Sequence, residues 1–146
     1  MRILIILFLL IAGQSLCFPQ QQQCQRITVP TCLNMGYNMT SVPNRFHHQR
    51  QDEISLEVHQ YLPLINAKCS PDLHFFLCAM YVPICLPDFN HQTIPPCRSL
   101  CESAKRGCEQ LMNRFSYFWP VDLACDQLPE RQEVLCVDSP PPKNCK

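Results

Sequence analysis

Glycine is nearly missing from this chain: three in 146 residues, at positions 13, 36 and 107. So few cannot build a phosphate-cradling loop, which needs closely spaced glycines to let backbone N–H groups approach an anion. Net charge is missing as well, with 12 basic residues set against 12 acidic ones. A balanced charge gives no electrostatic reason to expect nucleic acid or an anionic membrane surface as partner. There is no H-E-x-x-H and no G-x-S-x-G, and no nucleophile has a recognisable base beside it. Nothing therefore points to an enzyme or calls for a cofactor. After the N-terminus, no apolar run approaches the roughly 20 residues needed to span a bilayer.

What is abundant is cysteine (12) and proline (14). The first residues, "MRILIILFLLIAGQSLC", read as a secretory signal. Arg2 is the positive flank, Ile3 to Ala12 are the apolar stretch, and small residues follow at two alternative cleavage positions, after Ser15 or after Cys17. A bacterial lipoprotein signal would want a small residue before Cys17, and Leu16 stands there. The reading is residues 1–17 as signal peptide and an exported, extracellular product, whose cysteines meet an oxidising compartment and form disulfides. Cleavage at the second position leaves 129 residues (146 minus 17), one domain with a modest core. Ten cysteines, Cys24 to Cys136, form a compact set, with Cys145 an outlier in "SPPPKNCK". Ten cysteines admit on the order of a thousand pairings, so spacing leaves the connectivity open.

The coarse organisation is helical. "ITV" before Pro30 predicts one brief strand, Ile27 to Val29, and "NMGYNMTSVPNRF" a loop. In "QDEISLEVHQYL", Ile54, Val58 and Tyr61 recur at helical spacing, Asp52 and Glu53 suit the first turn, and Pro63 is expected to stop the helix. "SPDLHFFLCAMYVP" predicts a second helix, with Ser70 as cap, Pro71 in the first position and Pro83 at the end. It carries two apolar faces: Phe75, Cys78 and Val82 on one, Leu73, Phe76, Leu77 and Met80 on the other. One face is expected to meet core and disulfides, the other to line an apolar groove. "LPDFNHQTIPP" reads as a loop and residues 138–146 as a Pro-rich tail or linker stub.

The longest helix is expected from Pro96 onward, where Cys97, Cys101, Ala104, Cys108, Leu111 and Phe115 follow one face. Three thiols on a face suggest zinc, but Cys97 and Cys108 would lie about 16 Å apart along the axis, beyond one metal shell. Each must find its own partner, and the helix becomes a spine to which other segments are stapled. His47, His48, Asp52 and His59 lack a helical ligand pair and read as a polar loop feeding a helix, so no metal site is assigned. Lys105, Arg106 and Arg114 read as a solvated face. Asn38-Met39-Thr40 is an N-glycosylation sequon, expected to be occupied in an exposed loop.

The run "CQRITVPTC…GYNMT…PN.F.H..QDE..LEVHQYLPLI…CSPDLHFFLCAMYVPICL", continued by "PPCRSLCESAKRGCEQLM…F.WP…C..LPE…LC", resembles the cysteine-rich domain of Frizzled receptors, most nearly the five/eight subgroup. Secreted Frizzled-related proteins share this module. The likeness covers residues 24–137. It implies a mostly α, disulfide-rich fold of about four helices with a minimal two-stranded β-sheet. It also implies five bridges: Cys24–Cys85, Cys32–Cys78, Cys69–Cys108, Cys97–Cys136 and Cys101–Cys125. The implied activity is binding of lipid-modified Wnt proteins, with the acyl chain in an apolar surface groove and a second patch meeting a protein loop. Carried over, the groove would involve Gln60, Tyr61, Pro63, Met80, Leu111, Phe115 and Tyr117, with Ala67 at its edge.

The chain departs from that pattern in places. Tyr61 stands where phenylalanine is common, Leu62 where a bulkier aromatic is, and Ala67 where a larger aliphatic is. The segment from Leu86 to Pro96 is one residue longer and the Cys125–Cys136 segment two shorter. These bear on which Wnt is preferred. Two forms of the module are expected, a secreted decoy or the ectodomain of a truncated receptor, with a homodimer open to either. A carrier of free sterol or fatty acid is the alternative from another class.

Overall fold

The computed structural model describes residues 23–139. The predicted signal peptide with Cys17, and Cys145 in the tail, lie outside the described residues.

Strand β1 (Gln23–Arg26) pairs antiparallel with β2 (Met39–Val42), with Cys24 opposite Ser41 and Gln25 opposite Thr40. The strand expected at Ile27–Val29 is thus displaced toward the N-terminus. Ile27 still extends the ladder, donating its N–H to the Asn38 carbonyl at 2.9 Å, but Pro30 lacks a donor and opens a 3₁₀ turn instead. β2 falls in a stretch expected to be loop, because β-branched Thr40 and Val42 gain more from pairing than nearby Asn and Pro gain from turns.

Helix α1 (Gln51–His59) opens with the Glu53 carboxylate accepting the N–H groups of Gln49 (2.9 Å) and Arg50 (3.3 Å), so two donors at the helix start are satisfied. Pro63 does not stop this helix, which has ended four residues earlier. It occupies the first turn of a short second helix, α2 (Leu62–Ala67), where its missing N–H has no partner to lose. Helix α3 (Leu73–Tyr81) begins two residues later than expected: Asp72, not Ser70, is its N-cap and Pro71 stands before it, while the Ser70 hydroxyl accepts the Asp72 N–H at 3.2 Å. Seven of its nine residues are buried, the pattern of a helix with core on every side. Val82 and Pro83 end it, as expected.

A second ribbon, β3 (Ile84–Leu86) against β4 (Gln92–Ile94), stands where a loop was expected. Ile84, Thr93 and Ile94 favour extended backbone, and Asn90 and His91 take left-handed conformations in the turn. Helix α4 (Arg98–Arg114) is the longest element. Its buried face runs Leu100, Cys101, Ala104, Cys108, Met112, so at the last turn Met112 takes the inward position expected of Leu111 and Phe115. The fold is therefore four α-helices and two small two-stranded sheets among the described residues.

Five disulfides hold these pieces: Cys24–Cys85, Cys32–Cys78, Cys69–Cys108, Cys97–Cys136 and Cys101–Cys125. These are the pairs the resemblance implies. Three of them radiate from the N-cap and body of α4, the arrangement of a stapled spine. Where α4 meets the end of α2, Gly107 has no room for a side chain: a Cβ there would lie 2.5 Å from the Cys69 carbonyl oxygen. Arg98 gathers the C-terminal segment, donating to the Leu128 carbonyl at 3.3 Å and pairing with Glu130 at 2.6 Å. Val137 then pairs in parallel with Pro96, and Ser139 donates to Asp72 at 2.7 Å.

Candidate functional site

The last turn of α4 decides what the molecule shows to solvent. Its residues close in a Schellman motif: Tyr117 N–H reaches the Met112 carbonyl at 3.0 Å and Ser116 N–H the Asn113 carbonyl at 3.1 Å. Ser116 takes the left-handed conformation (φ 62°) that glycine usually supplies at this place. The reversal turns Phe115 and Tyr117 outward, each 69% exposed. Phe118 (78%) and Val121 (79%) follow. Four apolar side chains within seven residues are thus left in water.

The same segment is anchored from beneath. Trp119 stacks on Phe76 with ring centroids 6.0 Å apart and donates its indole N–H to the Leu123 carbonyl at 2.8 Å, and Leu123 is buried. Cys125 is bridged to Cys101 of α4. Exposed aromatics on a clamped loop are a pre-shaped surface, since little order remains to be gained on binding.

Others of the expected groove residues lie at the elbow between α1 and α2. Tyr61 sits at that elbow, accepting the N–H groups of Leu64 and Ile65 on its carbonyl, both at 3.0 Å. Its hydroxyl lies 3.4 Å from that of Tyr81, and burial raises the pKa of both phenols. The negative charges of Glu57 and Asp122 add smaller upward contributions to both. Tyr81 packs on Phe46 at 4.6 Å, and Asn44 holds that cluster, donating to the Tyr81 carbonyl and accepting from Phe46 N–H.

Of the expected groove residues, Tyr61 and Leu111 are half-buried, and Gln60, Pro63, Ala67, Phe115 and Tyr117 are exposed. The Cys69–Cys108 bridge, with Cα atoms 4.9 Å apart, draws the α2 end that carries Ala67 toward the part of α4 that carries Leu111. Met80 is different and corrects the expectation of an open groove face on α3. It is 1% exposed, and its sulfur lies 3.8 Å from Arg45 Nη1 in the wall of a depression of about 190 Å³ shared with Ser41, Asn44, Thr93 and Pro95. Only His74 and Phe75 of α3 are half-exposed. Phe118, Val121 and the anchor Trp119 were not singled out from sequence, although the aromatic run "FSYFWP" after the helix is the signal for them.

Titratable clusters add little. His48 Nδ1 lies 3.2 Å from Asn44 Oδ1, and Asp52 pairs with Arg50 at 2.7 Å. Of the predicted basic face, Lys105 pairs with Glu109 at 3.5 Å. Among the described residues, Cys24, Cys85 and His91 bring possible metal ligands within 4.8 Å, but both sulfurs are taken by their disulfide.

A disulfide-stapled helical domain that displays clamped aromatics defines a binding module as its class. The chain belongs to the Fz domain family, whose model matches residues 24–132. That family comprises receptor ligand-binding modules and not enzymes. The chain is 50% identical over 139 residues to Frizzled-5 of Homo sapiens, covering 93% of this chain and 24% of that one. It is 50% identical over 129 residues to Frizzled-8 of Mus musculus (87% and 19%) and 52% identical over 120 residues to Frizzled-2 of Drosophila melanogaster (81% and 17%). The chain spans a quarter or less of the curated relatives it matches. Among solved structures, the selenomethionine-labelled Smoothened CRD superposes with a TM-score of 0.59 at 26% identity, covering 76% of this chain and 96% of that one. Among the described residues no helix is long and apolar enough to cross a membrane.

Proposed function

We propose that this chain is an extracellular module that binds a lipid-modified Wnt protein, seating the acyl chain on the apolar surface around the end of α4 and the α1–α2 elbow. The observation that carries this reading is the exposure of Phe115 and Tyr117 on a loop fixed by Trp119 and the Cys101–Cys125 bridge. Gln60, Pro63, Ala67 and Leu111 would border the chain and Tyr61 would wall it. Met80, being core, would support the surface without touching the ligand. Aromatic rings suit a flexible apolar chain because they offer large area at little cost in side-chain entropy. Burying ten methylenes at about 0.8 kcal/mol each gives roughly 8 kcal/mol before ordering costs. That is a micromolar scale, so a second, protein-to-protein patch would raise affinity from there.

The test is binding of the secreted protein to an acylated Wnt and to the same Wnt lacking its acyl chain. Tight binding that collapses on removal of the lipid supports the reading. A folded, monodisperse protein that binds no Wnt in a panel, yet carries a co-purified sterol or fatty acid, moves the assignment to a small-lipid carrier. Secreted decoy and receptor ectodomain are told apart by whether the transcript continues into membrane-spanning sequence.

A further inference from the structure

Three of the five bridges have a half-exposed end: Cys24–Cys85, Cys69–Cys108 and Cys101–Cys125. Cys24–Cys85 differs from the others in what surrounds it. Both of its sulfurs lie within 4.8 Å of a ring nitrogen of His91, and among the described residues no other bridge has a histidine or carboxylate placed in this way. His91 takes a left-handed conformation (φ 57°) in the β3–β4 turn, and its Nδ1 accepts the Cys24 N–H at 3.2 Å, so the ring is held against the bridge. Its carbonyl oxygen lies 3.6 Å from Cys85 Sγ, an oxygen to which a disulfide sulfur cannot donate but a Cys85 thiol can. The two ends are unequal: Cys24 is half-exposed, whereas Cys85 is 2% exposed.

Thiol–disulfide exchange needs an accessible sulfur to attack and a stabilised sulfur to leave, and a neighbouring imidazolium supplies the second. We propose that Cys24–Cys85 is an exchange-active disulfide, opened by a dithiol reductant at Cys24 Sγ, with His91 protonating the departing Cys85 sulfur. A thiolate of the reductant attacks Cys24 Sγ, a mixed disulfide forms, and the bond to Cys85 Sγ breaks with its electron pair on that sulfur. The imidazolium form of His91 gives Cys85 a proton, and the attacking thiol's own proton, lost to water, recharges the ring. The Cys85 thiol then donates to the His91 carbonyl. The reductant's second thiol closes on the first, releasing Cys24 as a thiol and the reductant as a disulfide. β1 thereby loses its covalent tie to β3 and keeps its ladder with β2, while Cys69–Cys108 and Cys101–Cys125 still hold α4 to its neighbours. The inference is independent of which ligand the module binds.

The experiment exposes the folded, oxidised chain to dithiothreitol without denaturant, traps free thiols by alkylation at intervals and locates them by peptide mass. Cys24 and Cys85 are expected to be labelled first, about tenfold faster than the cysteines of the other two half-exposed bridges. Another bridge opening first, or all three opening together, would overturn the proposal. A second arm uses His91→Asn, whose side chain also tolerates the left-handed backbone but has no ring to carry a transferable proton. Opening of Cys24–Cys85 should slow about threefold or more at an unchanged melting temperature. A structural role alone predicts the reverse, because losing the ring acceptor for Cys24 N–H would loosen β1 and speed attack. Equal or faster opening in the variant therefore sinks the proposal. If His91→Asn does not fold, His91→Gln takes its place, and the order of opening in the unaltered chain still decides.

Discussion

The hydroxyl groups of Tyr61 and Tyr81 lie 3.4 Å apart, joining the elbow between α1 and α2 to the buried end of α3. A phenylalanine at position 61 would need no partner, but the tyrosine has one, and its ring is held against the core by it. Tyr61→Phe is expected to cost about 1 kcal/mol in denaturant unfolding, the usual net worth of one neutral hydrogen bond. Lipid-dependent binding should survive, because the ring remains. A large loss of binding at unchanged stability would show the hydroxyl meeting the ligand instead.

Burial raises the phenol pKa values of Tyr37, Tyr61 and Tyr81, and Tyr37 also donates to the Val82 carbonyl at 2.9 Å. A folded-state value above the unfolded one means that folding favours the neutral form. The stabilisation is complete below the unfolded value of about 10 and is lost as pH rises through the folded values. Absorbance at 295 nm followed with far-ultraviolet circular dichroism should show these tyrosines ionising together with unfolding on the alkaline side. Reversible ionisation of all tyrosines near pH 10 with the helices intact would contradict the burial argument.

Phe115→Glu and Tyr117→Glu should leave secretion and melting temperature nearly unchanged while sharply reducing binding to an acylated Wnt, since both side chains stand in solvent. Met80→Glu should instead abolish secretion, because it places a carboxylate in the core. Trp119 is the single tryptophan and lies under this surface, so its fluorescence should change on ligand binding. An unchanged spectrum at saturation would place the ligand elsewhere.

Ser116 pays the strain of a left-handed backbone in the turn that exposes Phe115 and Tyr117. Ser116→Gly is expected to stabilise the protein by roughly 0.5–1 kcal/mol, and Ser116→Val to destabilise it by more than that. Denaturant midpoints of the two variants, compared with the unaltered protein, check both signs.

Gly107→Ala should be among the most damaging small substitutions on α4, because the new Cβ meets the backbone of Cys69 and the Ser70 side chain at 2.7 Å. A loss of about 1–3 kcal/mol is expected, with slower formation of the Cys69–Cys108 bridge in oxidative refolding. A stability equal to that of the unaltered chain would mean that α2 and α4 can separate without cost.

The sequence by itself determined the helical spine and the need for staples. The 3.6-residue recurrence of Cys97, Cys101, Ala104 and Cys108 is a local property, and thiols too far apart for one metal must seek partners. It also marked the C-terminal end of α3, since a proline's missing donor acts on its own neighbours, but not its start, which lies two residues past Pro71. Tertiary structure decided the rest. Pro63 starts a helix because the chain had already turned at Gln60, and β3 and β4 form because each supplies what the other lacks. In a chain so poor in glycine, Asn34, His47, Lys68, Asn90, His91 and Ser116 take left-handed conformations among the described residues, and only for the two asparagines and two histidines does a local preference point that way. Met80 and Phe115 look alike as apolar positions on helices. One is buried because its helix is surrounded, and the other is exposed because a Schellman turn ends its helix one residue too soon to bury it. Which apolar residues meet water depends on what packs against them, and no periodicity records that.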